Sequence, residues 1–411
     1  MIPPDDETAR RDLARRLDHA VAGLPDPAAP LVVVDLDAFE ANAADLVRRA
    51  GGTPVRVASK SLRVPDLLRR ALDVPGFSGV LAYTLREALW LSSWLDRWPD
   101  RDDLDADVLV GYPSVDRGAL SDLLADERAR RRVTVMVDDP AHLDLLEEAG
   151  DSRGARVAID VDAGLRVGRS HVGPRRSPLH DAADVAALAR QVLERGFALV
   201  GVMTYEGQVA GVPDQVPRRR ARSLVVRRLK SASVAQLARR RAEVAAALAP
   251  LVDLELWNAG GSGSLETSAA DPVVTEVSAG SGLLVPGLFD HYASFAPRPA
   301  AYFALPVVRR PSPGVVTVAG GGFVASGPPG RDRAPLPWAP PGLHLTGLEG
   351  AGEVQTPLTG PGVRGLRIGD RVWFRHAKSG ELAEHTPYVH LVRGDVVVDT
   401  VPTYRGLGLA W

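Results

Sequence analysis

Short apolar runs recur before about residue 295, at 31–35, 54–58, 79–83, 107–111, 133–137, 156–161, 198–203 and 254–258. Each has the length of a buried strand and is too short for a buried helix. Between them, over 38–50, 64–72, 85–95, 141–149, 183–195 and 234–248, apolar positions return with the spacing of an amphipathic helix. Strands alternating with helices in this way predict a (β/α)8 barrel, with 31–35 as its first strand. The loops that follow the strands then carry the chemistry. Ahead of the barrel, Leu13, Leu17, Ala20 and Val21 stand near helical spacing within 5–22, and Pro25, Pro27 and Pro30 stop that helix.

The pattern changes after residue 295 to Pro- and Gly-rich segments with β-type runs at 301–309, 314–319, 370–376, 387–392 and 395–401. The fold class is therefore α/β, a (β/α)8 barrel with a C-terminal all-β domain. The expected segments are 1–30, a helical segment packing with the β domain; 31–295, the barrel; and 296–411, the β-strand domain. Ser326–Pro341 reads as a mobile, proline-laden surface loop.

Charge adds exclusions. Lys and Arg number 49 against 51 Asp and Glu, a net charge of −2, so no global excess draws the chain to nucleic acid or to an anionic membrane. The basic run of Arg218, Arg219, Arg220 and Arg222, continued by Arg227, Arg228 and Lys230, lacks interleaved aromatics and reads as a solvated helical face. Cysteine is absent, which excludes disulfides, thiolate catalysis and cysteine-ligated metals. Residues 1–22 show no apolar signal core, and the chain holds no apolar run of about eighteen residues, so a cytoplasmic enzyme acting on a small molecule is expected.

The candidate chemistry sits where strands end. Lys60 follows the run 54–58, and an amine there can form a Schiff base with an aldehyde or be an ordinary solvated lysine. Asn258–Ser264 (NAGGSGS) is a glycine turn in which exposed N–H groups around Gly261 and Gly263, with the Ser262 and Ser264 hydroxyls, suit a phosphate. A second small-residue turn, Ser278–Gly282 with Gly280 and Ser281, follows the run 273–277, and two such turns on consecutive late strands match the usual barrel phosphate site. Arg166 lies beyond the strand 156–161 and suits an oxyanion, or pairs with Asp160 or Asp162. Tyr205 lies beyond 198–203 as a hydrogen-bonding platform or as rim packing. In 370–378, Val372, Phe374, His376 and Lys378 share one strand face, so an apolar face ends in two polar groups.

These residues resemble, in order and spacing, the pyridoxal-phosphate enzymes of alanine-racemase-like fold (fold type III), in the D-threonine aldolase and eukaryotic-type D-serine dehydratase branch. The resemblance runs from about 31 to 411. Arg56-Val-Ala-Ser-Lys60 falls where that family has Arg-Pro-His-x-Lys, which makes Lys60 the implied Schiff-base residue, with Ala58 in place of the histidine. Asp160–Gly168 is similar to the segment whose arginine approaches cofactor or substrate, and Tyr205-Glu-Gly to the motif whose tyrosine lies near the pyridine nitrogen. Gly260–Ser264 and Gly280-Ser281 resemble the two phosphate turns. His376 stands at one of the family's two metal ligands, whereas Lys378 occupies the other. An ammonium repels a divalent ion, so no metal is expected, with His376 a ligand if one is retained.

The resemblance implies a pyridoxal 5'-phosphate-dependent lyase acting on a β-hydroxy amino acid, of D configuration, by retro-aldol cleavage or by dehydration and deamination. Lys60, His376 and Lys378 would be its catalytic groups. A racemase is the alternative within enzymes, with Tyr388 and Tyr404 available as a second base, and a non-catalytic cofactor-binding protein is the alternative outside them. The family also implies a head-to-tail homodimer.

Overall fold

The computed structural model describes residues 6–25, 29–97, 107–295 and 298–411, with only the backbone of Arg97. Residues 1–5 and 26–28 of the expected N-terminal segment, Pro27 among them, and 296–297 at the expected domain boundary lie outside the described residues. Two compact units result: 45–60 with 70–280 and Trp411, and 1–44 with 61–69 and 281–410. Among the described residues no helix is long and apolar enough to cross a membrane.

The first eleven strands are β1 (Leu31–Asp35), β2 (Val55–Ala58), β3 (Phe77–Ala82), β4 (Val108–Val110), β5 (Val133–Val137), β6 (Arg156–Asp160), β7 (Leu165–Val167), β8 (Ser170–Val172), β9 (Ala198–Thr204), β10 (Leu256–Ala259) and β11 (Glu276–Ala279). Eight of them close a parallel barrel in the order β10-β11-β2-β3-β4-β5-β6-β9. Leu109, Met136, Ala158, Met203 and Leu256 form one buried cluster of this unit, with Leu81 packed against it. The helices between the strands start where the sequence supplies a cap: Thr84 accepts from the Glu87 N–H ahead of Leu85–Trp94, and Asp139 from the Ala141 N–H ahead of Pro140–Ala149.

The barrel expectation holds with one correction. β1 is not a barrel strand; it pairs antiparallel with Ala301–Ser312 and parallel with Tyr388–Arg393 in the β-rich unit. All five of its residues are buried, so a central sheet strand gives the same unbroken apolar run as a barrel strand. The eighth barrel strand is β11, which overlaps the run 273–277 left out of the count of eight and carries the buried Glu276 and Ser278.

Those polar residues are there for Arg56. Its guanidinium, 2% exposed, donates to Glu276 Oε1 and Oε2 at 2.7 Å each, to the Asp107 carboxylate, and to the Asp107 carbonyl at 3.2 Å. Burial weakens its hold on the proton, but Glu276 and Asp107 outweigh that and hold it more firmly protonated than a free arginine. Asn258 on β10 donates to the same Glu276 at 2.7 Å and to Ser278 at 2.9 Å.

In the β-rich unit, helix Glu7–Val21 buries Leu13, Leu17 and Val21 against Val33, Tyr302, Trp338, Trp373 and Val392. Trp373 donates its indole N–H to Asp18 at 3.0 Å. Ser326–Pro341, expected to be a mobile loop, contains strand Leu336–Ala339, which pairs with Arg371–Arg375 and buries Trp338. Pro337 is tolerated because its strand hydrogen-bonds along one side.

Gly79 lets the arginine through. Its φ is +72°, and an added Cβ would stand 2.6 Å from Arg56 Nη1 and 3.0 Å from the Asp107 carbonyl oxygen. Gly79→Ala should cost about 1–3 kcal/mol through backbone strain and displacement of the buried pair. Urea unfolding measures it.

Candidate active site

Parallel strands bring every strand's C-terminal end to one rim. Lys60 lies in the short turn Ser59–Ser61 after β2, and the Ser59 hydroxyl anchors the turn by donating to the Leu81 carbonyl at 3.1 Å. The Lys60 ammonium donates to the hydroxyl of Tyr112, just past β4, at 2.6 Å. The guanidinium carbon of Arg176 lies 5.1 Å from the Tyr112 ring centroid and 4.7 Å from that of Tyr205. Lys60, Tyr112, Arg176 and Tyr205 thus form one array.

Charge on this array is sharply graded. Burial acts to raise Tyr112, yet Lys60 and Arg176 outweigh it and hold the phenol below its usual range. Tyr205 is pushed up to about 12 by burial, against the pull of Arg176. Asp160, at the end of β6, is raised to about 7 by burial, with Arg176 opposing and Asp138 and Asp162 reinforcing. Asp162 stays below the ordinary carboxylate range because the Gly164 N–H, His171 and Arg166 overcome its burial.

Arg166, of the hairpin β7–β8, pairs with Asp162 at 3.3 Å, and its N–H donates to Gln236 at 2.8 Å. With Arg169, His171, Arg175, Arg176 and Asp162 it lines a hollow of about 510 Å³. The arginine over the two tyrosine rings is Arg176, which no sequence motif marked.

The Tyr205-Glu206 pair divides its work. Tyr205 faces Arg176, whereas Glu206, 1% exposed, turns inward. Its carboxylate accepts from Arg241 at 3.1 Å, from the Gly260 N–H at 3.3 Å, from Ser264 at 2.7 Å and from Ser268. Ser264 also accepts from the Gly261 N–H at 3.1 Å, so its hydroxyl shapes the turn. Ser262 accepts from the Gly280 N–H at 3.3 Å and thereby joins the two glycine turns. Gly261 is needed where it stands, since a Cβ would lie 2.9 Å from Ala210 and 3.3 Å from the Tyr205 ring. Gly263, between the two serines, is buried. Glu206, Arg241, Tyr112 and Arg176 escaped the sequence reading. The adjacency of Glu206 to Tyr205 was the one available signal.

The remaining candidates belong to the β-rich unit. Ser281 opens the short helix Ser281–Leu284, with its hydroxyl 3.1 Å from that of Ser61. His376 is 4% exposed among Val32, Val34, Leu62 and Ala301, and burial with the nearby Arg375 charge takes it down to about 3. Lys378 donates to Glu381 at 3.3 Å and to the Ser326 hydroxyl. Tyr404 is buried and Tyr388 exposed. Among the described residues no group of three or more His, Asp or Glu side chains is placed to hold a metal ion.

The family model described as alanine racemase, N-terminal domain, matches residues 34–286. A D-threonine aldolase from an Arthrobacter species is 26% identical over 267 residues, 63% of this chain and 61% of that relative, so the match spans less than two thirds of the relative's length. Among solved structures, D-threonine aldolase from Filomicrobium marinum aligns with a TM-score of 0.75 at 22% identity, covering 94% of this chain and 97% of that one. D-threo-3-hydroxyaspartate dehydratase from Delftia sp. HT23 aligns at 0.68 and 21%, covering 95% and 100%. Alanine racemase from Oenococcus oeni aligns at 0.52 and 13%, covering 83% and 88%. These three share the fold.

The state of His376 yields a stability test. The unfolded chain takes up a proton near pH 6.5, whereas the folded protein refuses it down to about 3. Stability from the neutral imidazole is therefore complete above about 6.5 and lost as pH falls from there toward 3. In urea unfolding, His376→Gln should flatten the fall between pH 7 and pH 4 by about 1–3 kcal/mol relative to the parent.

Proposed function

Because the chain belongs to the alanine racemase N-terminal domain family, we propose that it is a pyridoxal-phosphate-dependent lyase acting on a β-hydroxy amino acid of D configuration. The observation that carries this reading is the rim itself: an amine at the end of β2, two hydrogen-bonded glycine–serine turns after the neighbouring β10 and β11, and Tyr205 just past β9. The donor set fits that cofactor. Lys60 suits its aldehyde, Ser262 and the N–H groups of Gly261, Gly263 and Gly280 suit its phosphate, and Tyr205 with Arg166 or Arg176 suits its ring and phenolic oxygen.

Bound there, pyridoxal phosphate would supply an electron sink for charge developing at the substrate Cα. Lys60 would be the amine that holds the cofactor's aldehyde carbon, and once displaced by the substrate amine it would hold or return the proton at the substrate Cα. Tyr205 stays neutral because of its enclosure and can therefore donate a hydrogen bond. Arg166 and its neighbours in the hollow suit the substrate carboxylate.

His376 and Lys378 differ in what they offer. Retro-aldol cleavage needs a base for the hydroxyl proton, and dehydration needs an acid for the departing hydroxyl. His376 is neutral but enclosed, whereas Lys378 is a cation whose side chain is 40% exposed. Of the two lyase outcomes, Lys378 therefore favours dehydration.

Incubation with D- and L-β-hydroxy amino acids tests the reading. A keto acid with ammonia from the D substrate is expected. Glycine with an aldehyde would make it an aldolase, the opposite enantiomer a racemase, and no turnover by cofactor-loaded protein would refute the enzyme reading. Lys60→Ala should lose the borohydride-trapped cofactor adduct seen by mass spectrometry, with turnover down at least about 100-fold. Activity should stay within about twofold after EDTA treatment if Lys378 stands in for a divalent ion; loss reversed by added metal would contradict that role.

A further inference from the structure

Tyr112 follows β4 with no motif around it, yet its hydroxyl meets Lys60 Nζ at 2.6 Å. The Arg176 guanidinium carbon lies 5.1 Å from its ring centroid. Two cations therefore converge on one part-buried phenol, an arrangement that stabilises the phenolate. Tyr205 shares Arg176 but has no ammonium partner in the array, and stays neutral. The charged and titratable groups acting on or with Tyr112 are Lys60, Arg176 and Tyr205, and Arg176 also acts on Asp160, which in turn feels Asp138 and Asp162.

An amine attacks an aldehyde only as the free base, whereas an ordinary lysine is an ammonium near neutral pH. Something must take the proton. We propose that Tyr112 is the acid–base partner of Lys60, its phenolate accepting a proton from the ammonium so that the Nζ lone pair can attack an aldehyde carbon. The C–N bond forms, the C–O bond breaks, and the oxygen leaves as water with two protons from Nζ, one of them relayed through Tyr112. The tyrosine ends as it began, and no oxidant or reductant is consumed. This inference rests on Lys60 being the residue that binds pyridoxal phosphate.

The test measures how fast full-length protein stripped of cofactor is labelled at Lys60 by pyridoxal phosphate with cyanoborohydride, as a function of pH, with the labelled peptide identified by mass. In Tyr112→Phe, labelling should slow about tenfold or more at pH 7 and the profile's midpoint should rise by about one unit, with the parent rate regained near pH 10. Arg176→Gln keeps the phenol but removes one cation, and should move the midpoint the same way by a smaller step. An unchanged midpoint in both variants, or an equal loss at every pH, overturns the proposal and leaves the cofactor assignment standing. Failure of the parent protein to label at Lys60 at any pH overturns both.

Discussion

The barrel depends on a buried arginine. Taking a guanidinium out of water costs several kcal/mol unless carboxylates and carbonyls replace the lost hydration. Arg56 meets that condition through Glu276 on β11, Asp107 at the start of β4, and backbone carbonyls. Because Glu276 and Arg56 sit on paired strands, the ion pair reinforces the register in which Ser278 lies opposite Arg56. That register decides where β2 ends, and hence where Lys60 emerges beside the turn that follows β11. The arginine of the Arg-x-x-x-Lys segment thus acts on the architecture, and the lysine inherits its position.

A second buried pair does for the first glycine turn what Arg56 does for the strand. Glu206 gathers the Gly260 N–H and two serine hydroxyls, which fixes the turn's path. A lone carboxylate beneath this turn would oppose any anion bound there, and Arg241 offsets that charge. Arg241 bridges Glu206 and Asp271 at 3.1 Å each and also donates to Thr204. On the proposed reading, grip on the cofactor would fall to Ser262 and backbone donors, and charge balance to Glu206 with Arg241.

What the sequence makes legible follows the range of each interaction. Lys60 and the two glycine turns announce themselves because a strand end or a turn is a local property of a few residues. Strand β1 misleads because burial on both faces erases the alternation that separates an antiparallel sheet from a parallel barrel. Strand β11 is legible as the run 273–277 but drops out of the count of eight, because its Glu276, which pairs with Arg56, breaks the apolar pattern. Leu336–Ala339 looks like a proline loop until Arg371–Arg375 is beside it. Tyr112 stands 52 positions from Lys60, and Arg176 is ordered by rings on two other loops. No window along the chain contains those pairings.

The electrostatics of the rim show the same separation between local and global. The chain as a whole carries a net −2, which gives no hint of an anionic ligand. At the rim, Lys60, Arg166, Arg169, Arg175 and Arg176 gather, while burial holds Asp160 protonated up to about pH 7 and Asp162 is already engaged by Arg166 and His171. An excess of one sign in a concave, partly dehydrated place acts more strongly on a ligand than the same charges spread over a surface. The acidic residues that balance the total are committed elsewhere, to Arg56, to Arg241 and to exposed ion pairs such as Arg86 with Asp116. A near-neutral protein thus presents a cationic rim, and that local excess suits a ligand with anionic groups.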